Sequence, residues 1–240
     1  ILIDESTTLV VQGITGTEGA RATEHMLTYG TRVAAGVTPA KGGQSVHGVN
    51  VYNTLADARR QHPAINTSLI TVPPMAVFDA GREALAAGIK LINILTENVP
   101  IKDTAQLLAE AAWRGACIVG PSSVGIISPA KSKIGSIGGD DPSRSYTPGA
   151  IGVISKSGGM ASEICALLSR AGLGQSTVVG MGGDVLVGTT FEDALLLFEQ
   201  DPGTQAGVIF GEIGGIYEIK AAECIKSGAV RKPVVAFIAG

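Results

Sequence analysis

Aromatic residues are scarce in this chain: one Trp, four Tyr and five Phe among 240 residues. Positive charge is not in excess either. The formal net charge is −3, and Lys and Arg are scattered without a basic stripe, which argues against a nucleic-acid surface. No apolar run approaches the about 20 residues of a membrane span. The residues from Ile1 onward show no charged-then-apolar pattern of a secretory leader. The cysteines, Cys117, Cys165 and Cys224, lie far apart and make neither a disulfide framework nor a metal-ligand spacing. They read as small buried hydrophobes in a reducing compartment, the cytoplasm or, in a eukaryote, the mitochondrial matrix. A Walker-type G-x-x-x-x-G-K-[ST] loop is missing, so the chain carries no such nucleotide site of its own.

Glycine is abundant, with 33 residues, and 45% of the chain is hydrophobic. That mixture suits parallel sheets with close helix packing and many strand-to-helix turns. The key stretch is Leu9-Val-Val-Gln-Gly-Ile-Thr-Gly-Thr-Glu-Gly19. An apolar strand breaks at Gly13, glycines follow at Gly16 and Gly19, and a helical pattern begins at Ala20. Glycines let backbone approach an anion, and the free N–H groups of a helix start point at it. The spacing is G-x-x-G-x-x-G rather than the dinucleotide G-x-G-x-x-G.

Strands are expected at Thr8–Gln12, Thr31–Gly36, Val49–Tyr52, Ser68–Val72, Lys90–Leu95 and Ala116–Val119. Helices are expected at Ala20–Tyr29, Thr54–Gln61, Ala76–Ala87 and Asp103–Arg114, the last with Asp103 as its N-cap and Gly115 at its C-terminal end. Such alternation implies βαβ crossovers and an open parallel sheet, which binds ligands beyond its carboxyl edge. At that edge Lys41, among glycines, offers a cation to a phosphate; in isolation it would be a solvated lysine. Thr96 and Glu97 can accept hydrogen bonds from a ribose or purine. An NAD-dependent oxidoreductase would need an acidic residue after the second strand, where the chain reads Gly36-Val-Thr-Pro39.

The stretch Gly125 to Gly139 reads as a connecting region, and Asp140 to Gly149 as a polar loop. Alternation then resumes. Strands are expected at Ala150–Ser155, Ser176–Gly180, Ala206–Phe210 and Pro233–Ile238, with helices at Met160–Ala171, Phe191–Gln200 and Tyr217–Lys226. This is a second doubly wound unit, giving domains 1–121 and 122–240. Ser157, Gly158 and Gly159 ahead of a helix form another anion cradle, and Glu212 sits among glycines at the same edge, where a carboxylate can orient an imidazole. His25, His47 and His62 all fall in the first half and read as surface or structural residues.

Taken in order, Gln12-Gly-Ile-Thr-Gly16, Gly36-Val-Thr-Pro-Ala-Lys-Gly-Gly43, Gly182-Gly-Asp184 with Gly188-Thr-Thr-Phe191, and Gly211-Glu-Ile-Gly-Gly215 resemble the α subunits of succinyl-CoA synthetase (succinate–CoA ligase). These belong to the nucleoside-diphosphate-forming acyl-CoA synthetase and ATP-citrate lyase superfamily. The resemblance runs the whole length. It implies an α/β fold with a Rossmann-like CoA-binding domain followed by a flavodoxin-like domain. It implies CoA contacts at Thr15, Gly16, Thr17, Glu18, Val37, Pro39, Lys41, Leu95, Thr96 and Glu97. The turn Ser155 to Gly159, with Ser155, Ser157, Gly158 and Gly159, would cradle a phosphoryl group. Glu212 would orient a phosphohistidine in a Gly-His-Ala-Gly loop expected beyond Gly240. An ATP-grasp β subunit would hold ATP or GTP with Mg. No protein-bound metal is implied in this chain.

Two departures from the family pattern keep alternatives open. Ser157-Gly-Gly-Met-Ala-Ser-Glu163 replaces the usual Ser-Gly-Thr-Leu-Thr-Tyr-Glu and looks like ATP-citrate lyase. Ser122-Ser123 replaces the usual Asn-Cys. A smaller residue at Gly159 and Ser162 in place of Tyr suit a bulkier or hydroxylated acid such as malate or citrate. A non-catalytic CoA-binding paralogue is the reading of another class, and a histidine loop past Gly240 separates it from the enzyme.

Overall fold

The computed structural model describes residues 1–240 as two sheets flanked by helices. The first unit runs β1 (Thr8–Gln12), α1 (Thr17–Tyr29), β2 (Arg32–Val37), β3 (Ser45–Val46), β4 (Val49–Tyr52), α2 (Leu55–Gln61), β5 (Thr67–Ile70), α3 (Val77–Ala86), β6 (Leu91–Ile94), α4 (Ile101–Trp113) and β7 (Cys117–Val119). The second runs β8 (Gly125–Ser128), β9 (Ser132–Gly135), β10 (Pro148–Ser155), α5 (Gly158–Arg170), β11 (Gln175–Gly180), α6 (Phe191–Gln200), β12 (Ala206–Glu212), α7 (Tyr217–Lys226) and β13 (Val234–Ala239).

The first sheet has the order β3-β4-β2-β1-β5-β6-β7, and all its pairings are parallel except the β3–β4 hairpin. Setting that hairpin strand aside, the order is that of a dinucleotide-binding fold, with its reversal between β1 and β5. The central strands β1, β5 and β6 are buried at every residue, as expected where helices cover both faces. The second sheet has the order β13-β12-β10-β11-β8-β9. Its four parallel strands follow a flavodoxin-like order, with the reversal between β10 and β12.

The stretch Gly125 to Gly139, expected to be a connection, instead contributes the antiparallel hairpin β8–β9 to the far edge of this sheet. Short, glycine- and serine-rich strands carry little periodic signal, but their backbone is paired and buried. A second correction concerns α4. Pro100 is its N-cap, and Asp103 lies inside the first turn, where a carboxylate favours the helix dipole without capping it. The expected N-cap logic does operate at α6. Thr190 and Asp193 make a reciprocal capping box there, and the helix begins at Phe191.

One apolar cluster of 26 residues crosses from sheet to sheet, joining Leu9, Val11 and Met26 to Ile126, Ile134, Ile154 and Val179. At about 1.5–3 kcal/mol for each large side chain fully buried, this seam holds the two sheets in fixed relation. Polar pairs reinforce it. Thr31 Oγ1 accepts from the Lys133 N–H and donates to the Lys133 carbonyl, and Thr189 Oγ1 donates to the Ile118 carbonyl. The two carboxyl edges therefore stand as fixed platforms for their loops.

Candidate functional site

At the first reversal, β1 runs into Gly13 with φ +90° and then into α1. A Cβ on Gly19 would come within 2.3 Å of the Gly13 carbonyl oxygen and 2.7 Å of Thr71 Oγ1. Glycine is thus required for α1 to start this close to the strand ends. Gly16 caps α1 without a side chain, leaving the N–H groups of Thr17, Glu18 and Gly19 without helical partners. Two cavities of about 590 Å³ each open over this turn. The first is lined by Thr15, Gly16, Val37 and Pro39, together with Thr71 to Pro73 and residues of α3. The second is lined by Gly16, Thr17, Glu18, Leu95, Thr96 and Glu97, and shares Thr71, Val72 and Pro73 with the first. Together they form a curved trough across the sheet edge, with a helix N-terminus near its middle. Anionic and apolar parts of one long ligand can both be served there.

Nine of the ten residues expected on this side meet around the trough. Lys41 does not line it; it is exposed on the turn after β2, its N–H bonded to the Thr38 carbonyl. Sequence reasoning missed Thr71 and Val72, which form the floor between the two cavities. Their position follows only once β5 is known to flank β1. It also missed Gln12 and Glu83. Gln12 is buried, accepts from Ser68 Oγ, and donates to the Ala80 carbonyl and to Glu83. Glu83 in turn accepts the Leu55 N–H at the start of α2.

At the second reversal, β10 ends at Ser155 and β12 at Glu212. Ser157 caps α5 by accepting the Met160 N–H, which leaves the N–H groups of Gly158 and Gly159 free of helical partners. Open space lies where a Cβ of Gly159 would stand. Ser155 corrects the expectation for this turn. It is fully buried, its hydroxyl accepts the Ser157 N–H and donates to the Ser157 carbonyl, and it braces the cradle from inside. Ser162 is half-buried, its hydroxyl bonded to Tyr146. Glu212 is exposed at the end of β12, opposite Ala239 of β13. Ser122, after a cis Gly120–Pro121 bond, donates to Asp184 at 2.5 Å, tying the segment between the two sheets to the β11 loop.

Beneath the second edge lies a feature the sequence did not announce. Lys156 and Glu218 form an ion pair at 2.7 Å, with side chains 12% and 14% exposed. Burial opposes the charge on Glu218, but the Lys156 hydrogen bond and two backbone N–H groups outweigh it and hold the carboxyl below its usual range. Cys165 and Cys224 are buried as expected, whereas Cys117 is partly exposed beside Thr189. No group of His, Cys, Asp or Glu is placed to hold a metal ion. No helix is long and apolar enough to cross a membrane.

Comparison with known proteins agrees with this geometry. Residues 4–98 match a family described as CoA binding domain, and residues 154–240 match one described as CoA-ligase. Succinate–CoA ligase [ADP-forming] subunit alpha 1 of Archaeoglobus fulgidus is 48% identical over all of this chain and 80% of its own length. The malate–CoA ligase subunit alpha of Methylorubrum extorquens is 43% identical over all of this chain and 80% of its own. Among solved structures, ATP citrate lyase from Methanothrix soehngenii in complex with citrate and coenzyme A superposes with a TM-score of 0.92 at 26% identity, over 99% of this chain and 41% of that one. Two carboxyl-edge sites on two sheets, each with its matched family, leave one conclusion: the chain belongs to the NDP-forming carboxylate–CoA ligases, in the family of the succinate–CoA ligase α subunits.

Proposed function

We propose that the protein is the α subunit of a succinate–CoA ligase, with residues 1–121 holding CoA and residues 122–240 serving the ligase chemistry. The observation that carries this reading is the pairing of two glycine-flanked helix N-termini, α1 and α5, each at the reversal point of its own sheet. The trough over α1 suits CoA. Backbone N–H groups of Thr17 and Glu18 face its phosphates, Val37 and Pro39 flank it, and Leu95, Thr96 and Glu97 take the far end. Lys41 supplies charge from the rim.

The α5 cradle suits a phosphoryl group. In this reading ATP or GTP with Mg is bound by an ATP-grasp β subunit, in a heterodimer or heterotetramer. The γ-phosphoryl group passes to a histidine beyond Gly240, which Glu212 orients. Transfer to the carboxylate forms an acyl phosphate. CoA sulfur then attacks the acyl carbon, and inorganic phosphate leaves. Ser157, Gly158 and Gly159 hold the phosphoryl oxygens by the helix N-terminus. Three free cysteines suit a reducing compartment, the cytoplasm or a mitochondrial matrix.

The open space at Gly159 favours a second reading, a hydroxylated or larger acid such as malate or citrate. One assay separates these readings. The full-length protein with its partner subunit is labelled from γ-labelled ATP or GTP, then chased with CoA and a panel of acids. Acid-labile label discharged by succinate and CoA supports the first reading, and discharge by malate or citrate instead supports the second. Absence of label with CoA still bound leaves a CoA-binding paralogue without catalysis.

A further inference from the structure

We infer that Lys156 and Glu218 are positioning residues that lock the catalytic loops of the second edge into one register, an inference that rests on the ligase reading above. Three loops leave that edge, after β10, β11 and β12; the first and third meet on this pair, and the second is tied to it through Tyr217. From the first loop, Lys156 reaches Glu218 Oε1 at 2.7 Å. From the third, the Glu212 N–H donates to the same oxygen at 3.1 Å. One carboxylate oxygen therefore joins the backbone of Glu212 to the turn that carries Ser157. Tyr217, beside Glu218 in the first turn of α7, has its ring 5.8 Å from Lys156 Nζ and donates its hydroxyl to the Val185 carbonyl in the second loop.

The packing leaves little play at this node. A Cβ on Gly211 would stand 2.9 Å from Glu218 Oε1. A Cβ on Gly215 would stand 2.8 Å from Glu218 Oε2 and 3.1 Å from Lys156 Nζ. The glycines of Gly211-Glu-Ile-Gly-Gly215 thus let the loop lie directly on the ion pair. Glu218 Oε2 is buried with no hydrogen-bond partner, so this carboxylate depends on Lys156 for its charge balance. A neutral residue in place of either partner frees the Glu212 backbone, and a displacement on the order of 0.5–1 Å is enough to misalign a group that orients an imidazole.

The test uses the full-length protein with its partner subunit. Single-turnover phosphorylation from labelled ATP, CoA affinity by calorimetry, and exchange of the Glu212 amide proton are measured for wild type, Glu218→Ala, Lys156→Met and Lys156→Arg. Expected for Glu218→Ala and Lys156→Met is a phosphorylation rate lowered on the order of 100-fold, with CoA affinity within about twofold of wild type and faster Glu212 amide exchange. Lys156→Arg restores most of the rate, because a guanidinium can still meet the carboxylate. A labelled wild type whose Glu218→Ala variant labels at an unchanged rate overturns this inference alone. Equal losses of phosphorylation and CoA affinity also overturn it, by showing a general structural role. A wild type that takes no label overturns the ligase reading itself, and amide exchange then still reports whether the pair holds the Glu212 loop.

Discussion

At the end of β1 the turn toward the helix is held by backbone and by the absence of side chains. At the end of β10 it is held by side chains. Gly13, Gly16 and Gly19 bring α1 against Thr71, and the trough above is walled by rigid strand ends. At the second edge Ser155 braces the cradle, Ser157 caps the helix, and Lys156 and Glu218 join the loops. The first arrangement suits a ligand gripped along a fixed wall, away from the atoms that react. The second suits a site where a carboxylate and a cradle must stay aligned while a group is transferred. The two edges should therefore fail separately, and through different kinds of substitution.

The largest expected effect is at the second edge. Glu212→Gln keeps the shape and removes the charge that would favour an imidazolium. Phosphorylation should fall on the order of 1000-fold, while CoA affinity measured by calorimetry stays at the wild-type value. If affinity and labelling fall together, the two edges are one site and the contrast is lost.

Next in size is Gly19→Ala. Its methyl group would meet the Gly13 carbonyl oxygen at 2.3 Å, backbone that cannot swing aside. Overpacking of this kind costs about 1–3 kcal/mol; at its upper end that is roughly 100-fold in CoA affinity. The signature sought is weakened CoA binding with phosphorylation retained. Lys41→Ala should do far less. The side chain is exposed outside the trough wall, so an interaction of about 0.2–1 kcal/mol is expected. That is a fall in affinity of up to about fivefold, vanishing at high salt. A large salt-independent loss would mean that Lys41 folds over bound CoA and belongs to the site.

The contrast between the edges also explains what could be read in advance. Strands β1 and β4 and helices α6 and α7 fall where the pattern puts them, because apolar runs and the Thr190 cap carry local information. The glycine turn after β1 was legible for the same reason, being a local device between strand and helix, whereas Val37, Pro39 and Leu95 were placed at the trough only by the family resemblance. The β8–β9 hairpin was not legible, since its strands are four residues each and take their place by pairing, β8 with β11 and β9 with β8, rather than by an apolar period. Lys156 and Glu218 were not legible either. They come from different βα units, and only the sheet order brings them together. Asp103 misled because a carboxylate in a first helical turn looks like a cap when Pro100, which has no capping side chain, holds that place.

A last effect, on stability rather than on binding or rate, concerns the seam between the edges. Lys133 on β9 is fully buried, and its Nζ donates to the Gly139 carbonyl. Burial lowers its ammonium pKa to about 8, with Asp140 partly offsetting the drop; His25 on α1 is also lowered, by burial first and then by Lys133. The folded chain thus releases this proton at lower pH than the unfolded chain does, near 10.5. Between those values the unfolded state binds more protons, so stability must rise with pH. Comparing wild type with Lys133→Met cancels the cysteines and tyrosines, which titrate in both. The stability difference should move in favour of wild type from about pH 8, by at most about 1.4 kcal/mol per pH unit, and level off above pH 10.5. Denaturant unfolding across this range checks it. A flat difference would mean that water or a counter-charge reaches Lys133, and that the seam is looser than either of the edges it joins.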